Sequence, residues 1–396
     1  MQTSPLIGLN IVEGAVDGDF FSPSNRFASG QAFDIVISNP PWRELKPGEG
    51  ETAVAWAQET QTRLPHRQIA AGFAAKTLQA GKQDARIVLI LPTSLITAPT
   101  NADFLRQFTV RATLDRMINL ADFRRLLFAQ AEHACTIVRA TNRPALENDE
   151  VLGNFEYWAP KVDVSFAFNR LTLHDYDRVE IARDALVEDN AVLRRRFWGG
   201  RRDESLHNRL KSLPSLGAAI RDGGWIAAKG YHMKDGGKTA SPGPLQAYDF
   251  LPTQALNSDS PVVDLHALTR LPVERGVASH GEMAMYEGHR ILWSDGTSVQ
   301  MEIRAAYASA PFCFPSGVGG IRVKDDEGPL ARFLTCYLRS SLAKYWLILT
   351  GYSAAAERAR VTLAEIRSLP FILPARHPDR VAASAALERA SAYSKT

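Results

Sequence analysis

The stretch FDIVISNPPW, Phe33 to Trp42, constrains this chain more than any other. A compact apolar run of this kind forms a strand. Asn-Pro then ends it, because the residue before a proline is steered toward extended geometry and two consecutive prolines fix the backbone that follows. Asn39 and the carbonyl of Pro40 are therefore expected to project rigidly from a strand end, with the flat ring of Trp42 beside them. Open α/β sheets bind ligands at the carboxyl ends of their strands. A neutral amide oxygen and a backbone carbonyl held side by side there form a two-acceptor cradle for an NH2 group.

Such a cradle answers a particular chemical problem. The exocyclic amine of a nucleobase is a poor nucleophile because its lone pair is delocalised into the ring. Two acceptors that take its two hydrogens favour a pyramidal nitrogen and free that lone pair, which is preorganised electrostatic stabilisation. An aromatic ring can hold the base by stacking once it has left the duplex. Chance would place Asn-Pro-Pro-aromatic roughly 0.003 times in a chain of this composition, which disfavours a strand that merely stops at prolines.

The surrounding pattern supplies the fold class. An apolar stretch from Leu6 to Val12 precedes a turn at DGDFF. HRQIAAGFAAKTLQAGK has helical content and ends near Gly81, ARIVLIL is a continuous apolar run suited to a strand covered on both faces, NADFLRQFTVRATL is helical, and CTIVRAT is another short strand. The alternation predicts an α/β, mostly parallel, helix-covered sheet over about the first 140 residues. Past Pro144 turn residues multiply and the alternation is lost. Domains are expected at 1–145, at 146–375 as a mixed α+β region, and a helix or tail at 376–396.

NPPW resembles, at every position, the hallmark of amino-group-specific DNA methyltransferases that use S-adenosylmethionine. RIVLILPTSLIT, FLRQF, MINLADFRRLLF and CTIVRAT resemble, in order and spacing, the downstream catalytic motifs of the adenine-N6 enzymes. The resemblance implies a partial Rossmann-like methyltransferase sheet in which Asn39 and Pro40 bind the extruded adenine's amine, Trp42 stacks on the base and Pro41 lies against it. It makes Phe128, with Phe123 as the alternative, a second aromatic on that adenine. GAVDGDFF is similar to the acidic motif in which Asp19 would contact the cofactor's adenosine; a plain turn at Asp17 and Asp19 is an equally good reading. Toward the other end, LARFLTCYLRSSLAKYWLILTGY through RVTLAEIRSLPFILP resembles the close of target-recognition regions in fused restriction-modification methyltransferases, with Ser340 and Ser341 at a turn that usually carries Asn.

A Rossmann-like methyltransferase also needs a Gly-rich loop after its first strand and an acidic residue after its second. Only 38 residues precede Asn39, too few for both strands with their helices. FCFPSGVGG, Phe312 to Gly320, has the wrong spacing for that loop and is read as a turn in the recognition region. The expectation is a split or truncated enzyme completed by a separately encoded N-terminal piece, with a non-catalytic DNA-recognition subunit as the alternative. Methylation of a protein glutamine, which uses the same tetrad, is disfavoured by the large basic downstream region.

The net charge of +3 does not by itself announce a nucleic-acid partner. Its distribution does more. Arg194 to Lys211 carries seven basic residues against two acidic ones around Phe197 and Trp198, so Arg194, Arg195, Arg196, Arg201 and Arg202 are candidate contacts to double-stranded DNA. Three widely spaced cysteines and scattered histidines form no metal-ligand spacing. No apolar stretch is long enough to span a bilayer, and a cytoplasmic setting is expected.

Overall fold

A computed structural model describes residues 19–23, 25, 33–127, 133–144, 153–233, 241–257, 259–271, 276–297, 302–351 and 360–372, with 382, 385 and 389. The chain divides into two compact units, Met1–Phe197 and Trp198–Thr396. The Leu6–Val12 stretch, Asp17, Phe128 and nearly all of the expected tail lie outside the described residues.

In chain order the first unit contains β1 (Phe33–Ser38), α1 (Glu51–Glu59), α2 (Ile69–Ala80), β2 (Gly81–Pro92), α3 (Thr93–Thr97), α4 (Ala102–Arg111), β3 (Thr113–Asn119), α5 (Arg124–Leu127), β4 (Cys135–Thr141), β5 (Asn154–Trp158), β6 (Arg178–Ala182), α6 (Arg183–Glu188) and α7 (Ala191–Trp198), whose last residue begins the second unit. The strands form one sheet in the order β1-β2-β4-β3-β5-β6. It is α/β but mixed where a mostly parallel sheet was expected. β1 with β2 and β3 with β5 are parallel, whereas β4 inserts antiparallel between β2 and β3, and β6 is antiparallel to β5. The sheet also continues past residue 145, since β5 docks on β3 and carries the first unit on to Phe197.

α2 shows why one face of this sheet closes tightly. Ile69, Ala70, Ala71, Ala74, Ala75 and Leu78 are all buried. Alanine has the highest helix propensity and lets a helix approach its neighbours closely. α2 packs against β2, β1, α1 and α4. Along β2, Ile87, Leu89 and Leu91 are buried while Val88 and Ile90 are only half-buried, the alternation a strand imposes on its two faces. Asn142, at the end of β4, donates from its buried amide to the carbonyls of Leu78 (2.9 Å) and Gly81 (2.9 Å). It thereby satisfies carbonyls that the end of α2 leaves open.

The second unit contains α8 (Arg201–Lys211), α9 (Leu216–Gly223), β7 (Ile226–Lys229), β8 (His232–Met233), β9 (Val277–Ser279), β10 (Arg290–Ser294), β11 (Ala305–Ala308), β12 (Val318–Arg322), α10 (Gly328–Leu338), α11 (Ser341–Thr350) and α12 (Leu363–Ser368). An antiparallel sheet, β11-β10-β12-β7, separates two cores. Ile291, Trp293 and Ile321 face Leu330, Leu334, Leu338, Trp346 and Leu347 of α10 and α11. Leu292, Ala306 and Val318 face Tyr231, Leu251, Met285, Tyr286 and Phe314. The Ser340 hydroxyl accepts from the Ala343 N–H (3.3 Å) and caps α11, while Thr362 and Glu365 form a reciprocal capping box on α12.

The stretch Phe312 to Gly320, read as a turn, does turn at Ser316 and Gly317 and then enters β12 at Val318. Gly317 lies in a turn, but Gly319 and Gly320 sit inside β12 because the space their side chains would fill is taken. A Cβ on Gly319 would lie 2.7 Å from the Trp293 indole, and one on Gly320 2.6 Å from Met285. Gly319→Ala should therefore overpack a well-filled core and cost about 1–3 kcal/mol. Calorimetry should show the second unit's transition falling by roughly 2–4 °C per kcal/mol.

Candidate base-binding site

The parallel strands β1, β2, β3 and β5 all end on the same edge of the first sheet, at Ser38, Pro92, Asn119 and Trp158. Asn39 leaves β1 at this edge. Its side chain is exposed and makes no hydrogen bond among the described residues, whereas Pro40 is buried, Pro41 exposed and Trp42 half-buried. The Trp42 indole is not a loose surface ring. Its Nε1–H donates to the carbonyl of Ile90 in β2 (3.3 Å), which sets the ring plane against the neighbouring strand.

The chain after the tetrad is clasped to the segment before α2. Leu45 donates its N–H to the Arg67 carbonyl (3.0 Å), Ile69 donates to the Arg43 carbonyl (3.1 Å), and Glu44 bridges Gln68 in antiparallel register. The Arg67 guanidinium reinforces the clasp by donating to the Leu45 carbonyl (2.8 Å). Between the clasp and the ends of β2 and β4 lies an open cleft of about 180 Å³, lined by Trp42, Arg43, Glu44, Gln68, Ala70, Pro92, Ser94 and His133. Its lining includes Trp42 but neither Asn39 nor Pro40. The far wall is firm: the Thr93 N–H donates to the Ala134 carbonyl (2.8 Å), and the Thr93 and Thr136 hydroxyls share a hydrogen bond (2.9 Å). Cys135 is buried in that wall, and desolvation pushes its thiol above the ordinary range.

The other expected site residues are dispersed. Phe123 is buried, its ring 5.7 Å from that of Phe166. Asp19 stands in a turn and both its carboxylate oxygens accept from the protein, one from the Phe21 N–H (2.9 Å), the other from the Thr52 hydroxyl (2.5 Å). Beside it the ammonium of Lys76, 4% exposed, lies 5.4–5.6 Å from the rings of Phe20, Phe21 and Trp56. Burial lowers the pKa of Lys76, and the charge of Asp19 opposes that shift.

The basic run divides as well. Arg194 is 5% exposed and donates to the Thr97 carbonyl, Arg195 pairs with Asp189 (3.1 Å) and Arg196 is half-buried, so α7 turns much of its charge inward. Arg201 and Arg202 are exposed on the first turn of α8 and remain available to a polyanion. Sequence reasoning missed Gln68, Pro92 and Ser94 as walls of the cleft. Gln68 alone left a trace, as an amide standing where a helix start usually places Ser, Thr, Asp or Asn.

Residues 13–126 match the family described as Eco57I restriction-modification methylase, a span that takes in Asp19, the Asn39–Trp42 tetrad, Gln68 and Phe123. No curated protein matches the chain. Among solved structures, the type IIG restriction endonuclease BpuSI matches at 12% identity over 90% of this chain and 49% of its own, with a TM-score of 0.37. The type IIL restriction-modification enzyme MmeI in complex with DNA matches at 11% identity over 91% and 50%, with a TM-score of 0.49. The DrdV–DNA complex matches at 12% over 93% and 45%, with a TM-score of 0.44. The chain spans about half the length of these structures.

Asp19 has both carboxylate oxygens engaged, and no described strand or Gly-rich turn adjoins the outer edge of β1. Among the described residues no cluster could hold a metal ion, and no helix is long and apolar enough to cross a membrane.

Proposed function

We propose that the chain is the base-binding and DNA-reading part of an adenine-N6 DNA methyltransferase of the restriction-modification or phage-defence type. The observation that carries this reading is Asn39. Its amide is exposed and unbonded among the described residues at the carboxyl end of β1, three residues before Trp42, whose ring β2 holds in place on the wall of a cleft. In the proposed reaction the target adenine leaves the duplex and lies against Trp42 and Pro41. The Asn39 carbonyl oxygen and the Pro40 carbonyl accept the two N6 hydrogens, so the nitrogen becomes pyramidal and its lone pair is free to accept a methyl group. The surplus proton then leaves to solvent. S-adenosylmethionine is the methyl donor of this reading, and most of its site belongs to a separate N-terminal piece. The second aromatic on the adenine falls to Phe128, since Phe123 is buried. Arg201 and Arg202 contact DNA phosphates in the second unit, and the assembly works in the cytoplasm.

β1 supports the proposed partner. It ends the first sheet, and along it Phe33, Ile35 and Ile37 are 38%, 60% and 72% exposed. Strands with parallel neighbours are normally covered on both faces, and an apolar edge left bare invites pairing. A partner that adds a strand beside β1 and a helix over Ile35 and Ile37 would satisfy both the backbone and the apolar face.

Three outcomes follow. Asn39→Ala in the completed assembly should reduce N6-methyladenine formation on unmethylated genomic DNA by at least about 100-fold, read by nucleoside mass spectrometry; undiminished methylation would sink the reading, and DNA binding without any methyl transfer by the unaltered assembly would point to a recognition subunit. Ile35→Lys with Ile37→Lys should leave the melting temperature of the isolated chain within about 2 °C, because exposed positions contribute little to stability, yet abolish co-purification with the N-terminal piece. Arg201→Ala with Arg202→Ala should weaken duplex binding and flatten its salt dependence by about two phosphate contacts, seen as a shallower slope of log K against log salt.

A further inference from the structure

We infer that Gln68 contacts the edge of the base seated beside Trp42 and helps select it, an inference that rests on the adenine-binding reading of that cleft. Gln68 occupies the N-cap of α2 yet makes no side-chain cap hydrogen bond. Glutamine is outside the set of residues that cap well, which are those with a short side chain able to reach back to the first-turn N–H groups. The amide at this position therefore does nothing for the helix. Its Oε1 is buried and has no hydrogen-bond partner. Buried polar atoms in folded proteins are nearly always satisfied, so this amide is not held where it is by the protein's own hydrogen bonds.

Two further observations give the side chain a target. Its backbone is immobilised by the clasp, with Glu44 bridging Gln68 and Arg43 accepting from Ile69, so its position is tied to Trp42 only two residues before Glu44. It also lines the cleft together with Trp42, Pro92, Ser94 and His133. Arg43, the cation on that wall, is drawn to Glu49 (2.7 Å), which leaves a neutral amide to face a neutral base.

The chemistry of the base decides which end of the amide is used. A primary amide presents a donor and an acceptor in one plane, and a half-turn about χ3 exchanges them. Asn39 and Pro40 take both hydrogens of the adenine amine, so a residue beside them meets the two ring acceptors that flank that amine, N1 and N7. Of the two ends only Oε1 is enclosed, so the NH2 group, which makes no hydrogen bond among the described residues, is the end left to the cleft and donates to one of them. A carboxylate in its place would set acceptor against acceptor.

The test uses the full chain and a fluorescent duplex carrying one adenine opposite an abasic site, with two further duplexes in which N1 or N7 of that adenine is replaced by C–H. The wild-type chain should bind the duplex lacking the contacted nitrogen about 3- to 10-fold more weakly than the unmodified one. Gln68→Ala should bind all three alike, and Gln68→Glu should bind the unmodified duplex more weakly than Gln68→Ala, with both variants melting within about 2 °C of wild type. Equal binding of all three duplexes by wild type, or variants that discriminate as wild type does, overturns the inference. Methyl transfer to genomic adenine by the completed assembly is followed in parallel. If discrimination holds while no adenine is methylated, Gln68 keeps its role and the transferase reading falls; if methylation is intact and discrimination absent, the role of Gln68 falls alone.

Discussion

Everything proposed for this chain depends on the parallel pairing of β1 with β2. The register sets Ser38 opposite Leu89, so the next residue, Asn39, emerges level with the Ile90 carbonyl to which Trp42 is anchored. Proline supplies rigidity from Pro40 onward, but direction comes from the pairing, since a one-residue slip would send alternate side chains to the opposite faces. The same pairing draws α2 beneath β1 and β2, and with α2 comes the clasp that builds one wall of the cleft.

β1 is an end strand of the sheet with one hydrogen-bonded neighbour. Its inner neighbour gives it backbone hydrogen bonds, while among the described residues no strand pairs with its outer edge, and Phe33, Ile35 and Ile37 are exposed. Soluble proteins tolerate such an edge at some risk of unwanted association. In the proposed assembly the strand carrying the tetrad is also the one that a partner completes, so that assembly and completion of the site would be a single event.

The elements nearest the site were legible because their signals are local. The strand at FDIVIS, the helix ending at Gly81 and the long apolar strand after it each follow from periodicity or propensity. The mixed character of the sheet was not legible. Whether β4 runs beside β2 or elsewhere depends on which neighbours bury its residues, and apolar runs covered on both faces read the same in either direction. The glycines of β12 misled for a related reason, since what excludes a side chain at Gly319 is the Trp293 ring, far away in sequence. Composition likewise grouped the arginines from 194 to 202, yet Arg194 and Arg195 are held by a carbonyl and a carboxylate that no local pattern reveals.

The sequence by itself determined the Asn-Pro-Pro-Trp tetrad and the strand that presents it, because the backbone restrictions of Asn-Pro-Pro act on adjacent residues and need no tertiary help. Only the tertiary structure decided the partners of these residues: the Ile90 carbonyl that orients Trp42, the enclosure of the Gln68 Oε1 without a partner, and, away from the tetrad, the engagement of both Asp19 oxygens. Those depend on distances between residues that are remote along the chain, which burial and register set and which no short window of residues encodes.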